Sequence, residues 1–307
     1  MNAEQDAWIV RAMCEPGFYD HPVAGVALIE THISWVFLAG DFAYKVKKPL
    51  DFGFLDFSTL AKRHHYCREE LRLNRRFSTN IYLALIQIGG SPDAPIINGD
   101  PALEYAVKMR RFPQGCQLDR MLAAGQLQTR HLVVFADMIA AQHQQAATAD
   151  ADSPYGRPAA VIDPALENFS QLSVLVKGTD HEPQLAKLEQ WTSETCDVLQ
   201  PVFRQRKVDG FIRECHGDLH LANMAWLDGQ PLLFDCIEFN ENLRWIDVVN
   251  EIAFLAMDLD DREQTELGWI FLNWYLQETG DYRGVSLLNF YKTYRAMVRA
   301  KVTGLRL

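Results

Sequence analysis

The clearest chemical pattern of the chain lies in residues 211–239, FIRECHGDLHLANMAWLDGQPLLFDCIEF. Asp218 and Asn223 are five residues apart, and Asp235 follows Asn223 by twelve residues. An Asp-Gly turn pair flanked by β-prone residues separates the last two, which predicts a hairpin that returns the chain toward Asn223. An amide oxygen and a carboxylate brought together in this way are ligands that Mg²⁺ bound to ATP accepts. Asp218 is then placed to accept a proton from a substrate hydroxyl.

Two other hypotheses explain parts of the same segment. His216, Asp218 and His220 alternate along the chain, and in an extended strand they would share a face that suits zinc in a metal-dependent hydrolase. The sequence offers no further His or Cys pair at ligand spacing, which favours instead a His216 that braces the catalytic loop by hydrogen bonds. The second hypothesis is a nucleotide-binding regulator without turnover, a pseudokinase.

Phosphoryl transfer also needs a cation beside the α- and β-phosphates. Lys45 lies in the β-prone run FAYKV, and Lys47 shares its face of the strand because side chains alternate with a period of two. A helix glutamate would hold this lysine. Glu70 is favoured because apolar residues follow it at +3 and +7 and would turn that face inward, with Glu69 as the competing choice. A solvated helix face with local ion pairs is the structural alternative for both glutamates.

The elements that must position these residues change in character near residue 113. The first part is strand-rich, with a hairpin predicted around the Gly-Asp pair at 40–41 and a helix from a cap at Ser58 to about Phe77. We expect an α+β fold with a small antiparallel-sheet lobe over 1–112 and a larger helical lobe over 113–307. In the second lobe the sequence predicts helices near 118–127, 131–146, 183–207, 243–260, 263–279 and 285–305, a proline-containing loop over 148–165, and strand-like residues over 211–239.

Composition narrows the function classes. Of the net charge of −10, residues 1–113 contribute none, with 13 acidic and 13 basic side chains, so the whole excess lies in the second part. Such a surface repels nucleic acid and favours a cationic or neutral partner. No secretory signal is readable, and the longest apolar stretch contains Glu30 and His32, which argues against a membrane span. The six cysteines form no CxxC pair, so we expect reduced thiols and a cytoplasmic protein.

With these residues in place, the sequence resembles the aminoglycoside phosphotransferase-like kinase superfamily, which includes antibiotic, choline and fructosamine kinases. HGDLHLAN resembles its catalytic loop, and FDCIEF resembles its metal-binding strand, with Cys236 in place of the usual glycine. Asp247 in RWIDVVNEIAFL resembles its later structural aspartate. ETHISWVFLAGDFAYKVKKP and LDFSTLAKRHHYCREELRLNRR look similar to an uncharacterised bacterial branch, and the resemblance covers about residues 25–305.

The resemblance implies a bilobal protein-kinase-like fold with ATP and Mg²⁺ as cofactors. It implies that the backbone near Met109, Arg110 and Phe112 holds the adenine. The turn from Thr31 to Ser34 would cover the phosphates, although no glycine-rich loop is present there. The tripeptide Asp51-Phe52-Gly53 matches the metal-binding motif of protein kinases, but it precedes the catalytic loop and is better explained as a turn.

The expected partner is a small molecule with a hydroxyl acceptor, for which an amine-bearing compound such as an aminoglycoside would suit the acidic second lobe. No nucleic acid or membrane partner is expected. Members of the closest branch often carry a C-terminal P-loop kinase-like domain, and the chain contains no GxxxxGK[ST] motif of that kind.

Overall fold

A computed structural model describes residues 3–304 and divides into two compact units. The sheet unit comprises the residues up to Cys116 together with Leu232–Asn240. The helical unit comprises Gln117–Pro231 and the residues from Glu241 onward. The predicted α+β class, an antiparallel-sheet lobe and a mostly helical lobe, is confirmed.

The sheet unit is a six-stranded antiparallel sheet with two helices, and its strands are ordered β1-β2-β3-β6-β4-β5. A helix that the sequence analysis did not predict, α1, packs on one face of the sheet, where Phe37, Tyr44 and Val46 have no exposed surface. The elements are α1 (Ala3–Cys14), β1 (Val26–Glu30), β2 (Ser34–Ala39), β3 (Phe42–Lys47), α2 (Leu60–Asn74), β4 (Tyr82–Ser91), β5 (Ala94–Ile97) and β6 (Ala102–Arg110).

Alternation along β3 sends its side chains to two different environments. Tyr44 and Val46 enter the apolar cluster beside α1, and the intervening Lys45 and Lys47 therefore lie on the opposite face. The predicted hairpin between β2 and β3 is confirmed, with Ala39 opposite Phe42 in the register. Gly40 lies at φ +57° in the turn, a left-handed conformation that glycine adopts without steric penalty.

The N-cap of helix α2 is Thr59, one residue later than the predicted cap Ser58. The side chain of Thr59 accepts the backbone N–H of Lys62 and caps the helix. Ser58 bonds instead to the carboxylate of Asp56, so the prediction of Ser58 as the cap was wrong. Two adjacent hydroxyl residues can each supply the cap oxygen, and the Asp56 contact decides between them.

The helical unit contains seven helices among the residues that the structure describes, with four short strands. β7 pairs with β10, and β8 with β9, each in a two-stranded sheet. The turn between β8 and β9 has positive φ at both Asp228 and Gly229, as the predicted Asp-Gly hairpin requires. The elements are α3 (Leu118–Ala123), α4 (Thr129–Gln145), α5 (Pro158–Val176), α6 (Glu182–Val208), β7 (Ile212–Glu214), β8 (Met224–Leu227), β9 (Gln230–Leu233), β10 (Trp245–Asp247), α7 (Val248–Asp261), α8 (Thr265–Thr279) and α9 (Leu288–Gly304).

The loop predicted over 148–165 is shorter than expected, because α5 begins at Pro158. Proline is favoured in the first turn of a helix, where its missing N–H has no helical partner. Pro164 lies inside α5 and removes one backbone hydrogen bond, yet the helix continues to Val176. Packing of buried residues such as Phe169 stabilises the helix despite this loss.

Among the helices between residues 3 and 304, none combines the length and the apolar character that a membrane crossing requires.

A buried ion network joins three elements of the helical unit. The guanidinium of Arg206 on α6 donates to both carboxylate oxygens of Asp247, at 2.5 and 2.8 Å, and to both of Asp281, at 2.8 and 2.7 Å. All three side chains are at most 5% exposed. Asp247 also accepts the N–H of Val249 and caps α7, so the predicted structural aspartate anchors a helix start.

Replacing Asp247 with Asn should lower the free energy of unfolding of the helical unit by about 3 kcal/mol, because it removes one partner of a buried pair while keeping a cap residue. Urea unfolding at neutral pH measures the change. Asp197→Asn on the exposed side of α6 is the matched control and should shift stability by about 0.5 kcal/mol or less. Equal destabilisation by both substitutions would contradict the role assigned to the network.

Candidate active site

The first group of candidate residues lies in the sheet unit around Lys45. The Nζ atom of Lys45 is 2.9 Å from Glu70 Oε1 and 2.5 Å from Asp235 Oδ1. Glu70 on α2 has no exposed surface. Glu69 points elsewhere and forms an ion pair with Arg72 at 2.8 Å on the helix surface. Of the two glutamates considered from the sequence, the structure therefore brings Glu70 to Lys45.

The charges of this group stabilise one another. Burial alone would raise the pKa of Glu70, but the ammonium groups of Lys45 and Lys47 outweigh it and lower that pKa to about 2. Burial alone would lower the pKa of Lys45, but Asp235 and Glu70 outweigh it and hold that pKa well above its ordinary value. Both groups are therefore charged at neutral pH, as a lysine that binds phosphate must be.

Asp235 lies in the segment Leu232–Asn240, defined here as the metal-strand segment, which packs with the sheet unit. The sequence analysis had assigned these residues to the second lobe. Side chains of the sheet unit account for the difference, because Ser78 donates to the carbonyl of Leu233 and Asn74 accepts the N–H of Cys236 at 3.0 Å. These bonds attach the segment to the residues around the end of α2.

The backbone of Asp235 is left-handed, with φ at +65°. Asp is one of the few side chains that tolerate this conformation, and such residues are concentrated at functional sites. The N–H of Asp235 donates to the hydroxyl of Tyr82 at 3.0 Å. The side chain of Asp235 is 48% exposed. Because the left-handed position is Asp235 itself, the following Cys236 is accommodated without a glycine.

The second group lies in the helical unit, on the loop between β7 and β8. The amide nitrogen of Asn223 donates to Asp218 Oδ2 at 2.8 Å and to the Asp218 carbonyl at 3.0 Å. His220 Nε2 lies 3.4 Å from the same Asp218 oxygen. The Asp218 side chain is 34% exposed, so it is open to a substrate while two neighbours hold it.

Asp218 is ionised at any pH near neutral. Burial on its own would raise the pKa of this carboxyl, but the charge and hydrogen bond of His220, with contributions from His216 and Arg295, lower it to about 2. A carboxylate of this kind accepts a hydrogen bond from an alcohol and orients it. It takes the proton only as the alcohol oxygen becomes bonded to another atom.

Glu251 on α7 holds the backbone of the catalytic loop, here residues 216–223. Its two oxygens accept the N–H groups of His216 at 2.8 Å and Gly217 at 2.7 Å. His216 has no exposed surface, and its Nδ1 accepts the N–H of Asp218 at 3.3 Å. The position of Asp218 is therefore determined by a chain of bonds that begins at a buried helix carboxylate.

Two further side chains hold the same loop. Arg295 on α9 donates to the carbonyl of Gly217 at 3.0 Å and to Asn250 at 2.7 Å. Asp258 accepts the N–H of Leu221 at 2.9 Å. Sequence reasoning identified none of Arg295, Asp258 and Glu251, although the two carboxylates lie in the long apolar run of α7.

The structure does not favour the zinc hypothesis. Within residues 3–304, the cluster with metal-ligand proximity is His143, Cys215 and Glu251, which contains neither His216 nor His220. In that cluster His143 bonds to Tyr275 at 2.8 Å, and Glu251 is engaged by the catalytic loop. We interpret it as a buried hydrogen-bond network that supports the loop.

The residues expected at the phosphates form a closed turn between β1 and β2. The hydroxyl of Thr31 accepts the N–H of Ser34 at 2.9 Å and lies 3.1 Å from its carbonyl. Ser34 has no exposed surface, and it lies opposite Lys47 in the strand register. The Ser34 hydroxyl is therefore buried, whereas Thr31 and His32 are exposed.

The residues expected at the adenine lie at the end of β6. Met109 pairs with Ala43 on one side and Tyr82 on the other. The N–H of Arg110 donates to the carbonyl of Ile81 at 2.8 Å, so this donor is used within the sheet unit. Phe112 follows the strand, with its ring centroid 5.3 Å from that of Phe234.

The donors available to a metal are oxygens. Asp235 offers an exposed carboxylate, and Asn223 turns its amide nitrogen toward Asp218, which leaves its amide oxygen for a cation. Carboxylate and amide oxygens suit Mg²⁺, which prefers hard ligands and retains water or phosphate in the remaining positions. Each residue taken by itself therefore fits the predicted role.

Replacing Glu251 with Gln should reduce stability most at neutral pH and least in acid. Burial would raise the pKa of Glu251, but bonds from His143 and the loop lower it to about 2, so the folded state favours the carboxylate. The resulting stabilisation is present above the ordinary glutamate pKa near 4.5 and is lost as the pH falls toward 2. At pH 7 the free energy of unfolding of the Gln variant should be lower than that of the wild type by about 3 kcal/mol, because a shift on the order of two pKa units corresponds to that energy.

Thermal or urea unfolding of both proteins from pH 7 down to pH 3 measures this difference. A constant difference over the whole range would contradict the assignment, because it would mean that Glu251 is not ionised against its partners. The exposed Glu194 provides a matched control, since Glu194→Gln should leave the pH profile unchanged.

Solved structures of small-molecule kinases share this fold. An ethanolamine kinase from Plasmodium vivax aligns with a TM-score of 0.56 at 12% identity, covering 100% of this chain and 85% of that one. A choline kinase from Cryptosporidium parvum has a TM-score of 0.53 at 12% identity and covers 97% and 87%. A glucosamine kinase has a TM-score of 0.53 at 14% identity and covers 99% and 77%. At these identities the likeness establishes the fold.

Sequence comparison establishes the family. Uncharacterised proteins of Mycobacterium tuberculosis and Mycobacterium bovis are 34% identical over 292 residues, which cover 93% of this chain. The chain spans 57% of the length of these relatives. Residues 109–288, which include the catalytic loop and Asp235, match a family described as phosphotransferase enzymes. The chain therefore belongs to the phosphotransferase enzyme family.

Proposed function

We propose that the chain is an ATP- and Mg²⁺-dependent phosphotransferase that moves the γ-phosphate to a hydroxyl group of a small molecule. The observation that carries the proposal is Lys45, which contacts both the helix glutamate Glu70 and the exposed carboxylate of Asp235. Phosphoryl transfer in kinase folds needs a lysine held by a helix glutamate and an acidic metal ligand. Membership of the phosphotransferase family supports the same reaction class.

In the proposed reaction Lys45 binds the α- and β-phosphates, and Glu70 keeps it charged and oriented. Asn223 and Asp235 would hold Mg²⁺, which supplies charge neutralisation for the phosphate oxygens. Asp235 would exchange its contact with Lys45 for the metal, which would leave Lys45 to bind phosphate.

Asp218 orients the acceptor hydroxyl and receives its proton. Its low pKa makes it a weak base, so proton transfer follows the formation of the oxygen–phosphorus bond rather than preceding it. Asn223, a proposed metal ligand, donates a hydrogen bond to the Asp218 carboxylate, so the metal ligand and the residue that orients the hydroxyl are in direct contact. The bonds from Glu251 and Arg295 to the loop preserve this geometry during turnover.

For the acceptor we propose an amine-bearing small molecule. The structural neighbours include kinases named for glucosamine, choline and ethanolamine, and this is the chemical class that we carry over. Residues 114–307 hold the entire net charge of −10, which favours a cationic acceptor. We place the reaction in the cytoplasm because the six cysteines are free thiols.

Replacing Asp218 with Asn should lower transfer to the acceptor by about a thousandfold or more while leaving nucleotide affinity within about twofold. Asn keeps the size of the side chain but neither carries the charge nor accepts a proton. Phosphate transfer from labelled ATP to a panel of amino alcohols and aminoglycosides measures the first quantity, and calorimetry with ADP measures the second. Unchanged turnover would overturn the assignment, and a wild-type protein that binds nucleotide without any turnover would favour the pseudokinase.

Replacing Asp235 with Asn should weaken binding of Mg²⁺·ADP by about tenfold or more, because a charged ligand is replaced by a neutral one. Binding of ADP in the presence of EDTA should change much less. Calorimetry under both conditions gives the comparison. Asp51→Asn is a matched control from the Asp-Phe-Gly tripeptide, because Asp51 accepts the N–H of Gly53 in an exposed turn. Equal losses in the two variants would contradict the metal role of Asp235.

A further inference from the structure

The sheet unit contains a second lysine that the proposed reaction does not use. Lys47 lies two residues beyond Lys45 on the same face of β3, yet it has no exposed surface. Its Nζ donates to Glu70 Oε2 at 2.6 Å and to Glu238 Oε1, and lies 4.9 Å from the centre of the Phe57 ring. A lysine enclosed in this way has no path to a nucleotide phosphate.

Glu238 is buried as completely as its partner. It is 4% exposed and lies three residues after Asp235 in the metal-strand segment. A buried carboxylate next to a second carboxylate, Glu70, is stable only beside a cation, and Lys47 is the cation that both share. The Lys47–Glu238 contact therefore attaches the segment to β3, and removing either partner would leave a buried charge less compensated.

We infer that Lys47 and Glu238 form a clamp that positions Asp235 for metal binding, with Lys47 acting as a positioning residue rather than as the phosphate lysine. The inference rests on the proposed function in one respect, the metal role of Asp235. It resolves the choice between the two β3 lysines that the sequence left open. Neither lysine lies in the residues 109–288 that match the family.

The clamp lies close to a residue whose backbone conformation is unfavourable. Asp235 holds a left-handed φ of +65°, which an unrestrained chain adopts only in a minor fraction of its conformations. Tyr82 accepts the N–H of Asp235 and Asn74 accepts that of Cys236, immediately before and after the left-handed Cα. Glu238 adds a side-chain attachment two residues beyond Cys236, through Lys47, and so restrains the chain that leaves the strained residue.

The clamp also determines the orientation of Glu70. With Oε2 bonded to Lys47, Oε1 is the oxygen that remains for Lys45. Lys45 in turn contacts Asp235, so the two lysines, the two glutamates and the aspartate form one connected group. Loss of the clamp is therefore expected to affect Asp235 first and Lys45 second.

The test uses Glu238→Gln in the full chain, because this variant keeps the size of the side chain and leaves Lys47 paired with Glu70. Hydrogen exchange of the free protein reports the clamp, and exchange over 232–240 should accelerate about tenfold or more while α1 and the strand core are unchanged. Binding of Mn²⁺ with ADP, followed by electron paramagnetic resonance, reports the metal site and should weaken by about tenfold. ADP affinity in EDTA should stay within about twofold.

Glu30→Gln is the matched control, because Glu30 pairs with another lysine, Lys48, but is 61% exposed. It should leave both readouts at wild-type values. Exchange over 232–240 in the double variant Lys47→Met with Glu238→Gln should be no faster than in the faster-exchanging of the two single variants, since both changes remove the Lys47–Glu238 bond. Additive effects would overturn the clamp.

The two proposals fail in different ways. Unchanged exchange over 232–240 in Glu238→Gln would overturn the clamp whatever the protein catalyses. Faster exchange with unchanged Mn²⁺·ADP affinity would overturn the positioning role of Lys47 and Glu238. A wild-type protein that binds no Mn²⁺·ADP would overturn the metal role in both proposals.

Discussion

A buried ammonium group is stable only beside carboxylates, because removing a single charge from water costs several kcal/mol. β3 places two lysines on one face, and their side chains are only 12% and 1% exposed. Glu70 compensates both, with one oxygen toward Lys45 and the other toward Lys47. This requirement fixes the position of α2 against the sheet, and it leaves Lys45 charged beside Asp235. The candidate residues of the sheet unit depend on that compensation.

The helical unit meets a different constraint. The catalytic loop lies between two short strands, so most of its backbone groups have no ladder partner and must be satisfied by side chains. Glu251 and Asp258 accept N–H groups of the loop, and Arg295 donates to one of its carbonyls. Helices α7 and α9 therefore act as a rigid frame for an irregular segment. This explains why α7 carries carboxylates although nearly all of it is buried.

The features that the sequence predicted correctly are those that neighbouring residues determine. Both hairpins follow from a two-residue turn between β-prone runs, and the face of α2 that carries Glu70 follows from the apolar residues beyond it. Errors arose where two local signals compete. Ser58 and Thr59 are both good cap residues, and Pro164 signals a loop although tertiary packing keeps it within α5. Such choices are made by contacts that are distant in sequence.

The carboxylates that sequence reasoning missed share one property, a charge inside an otherwise apolar run. Glu251 and Asp258 are seven positions apart in VVNEIAFLAMDL, so they lie on one face of α7, and Glu238 lies between Ile237 and Phe239 in FDCIEF. A charge in such a position is stable only with a buried partner, so the pattern itself predicts that a partner exists. It does not reveal which group that is. In this chain the partners are a β3 lysine and the backbone of the catalytic loop, both known only once the fold brings them together.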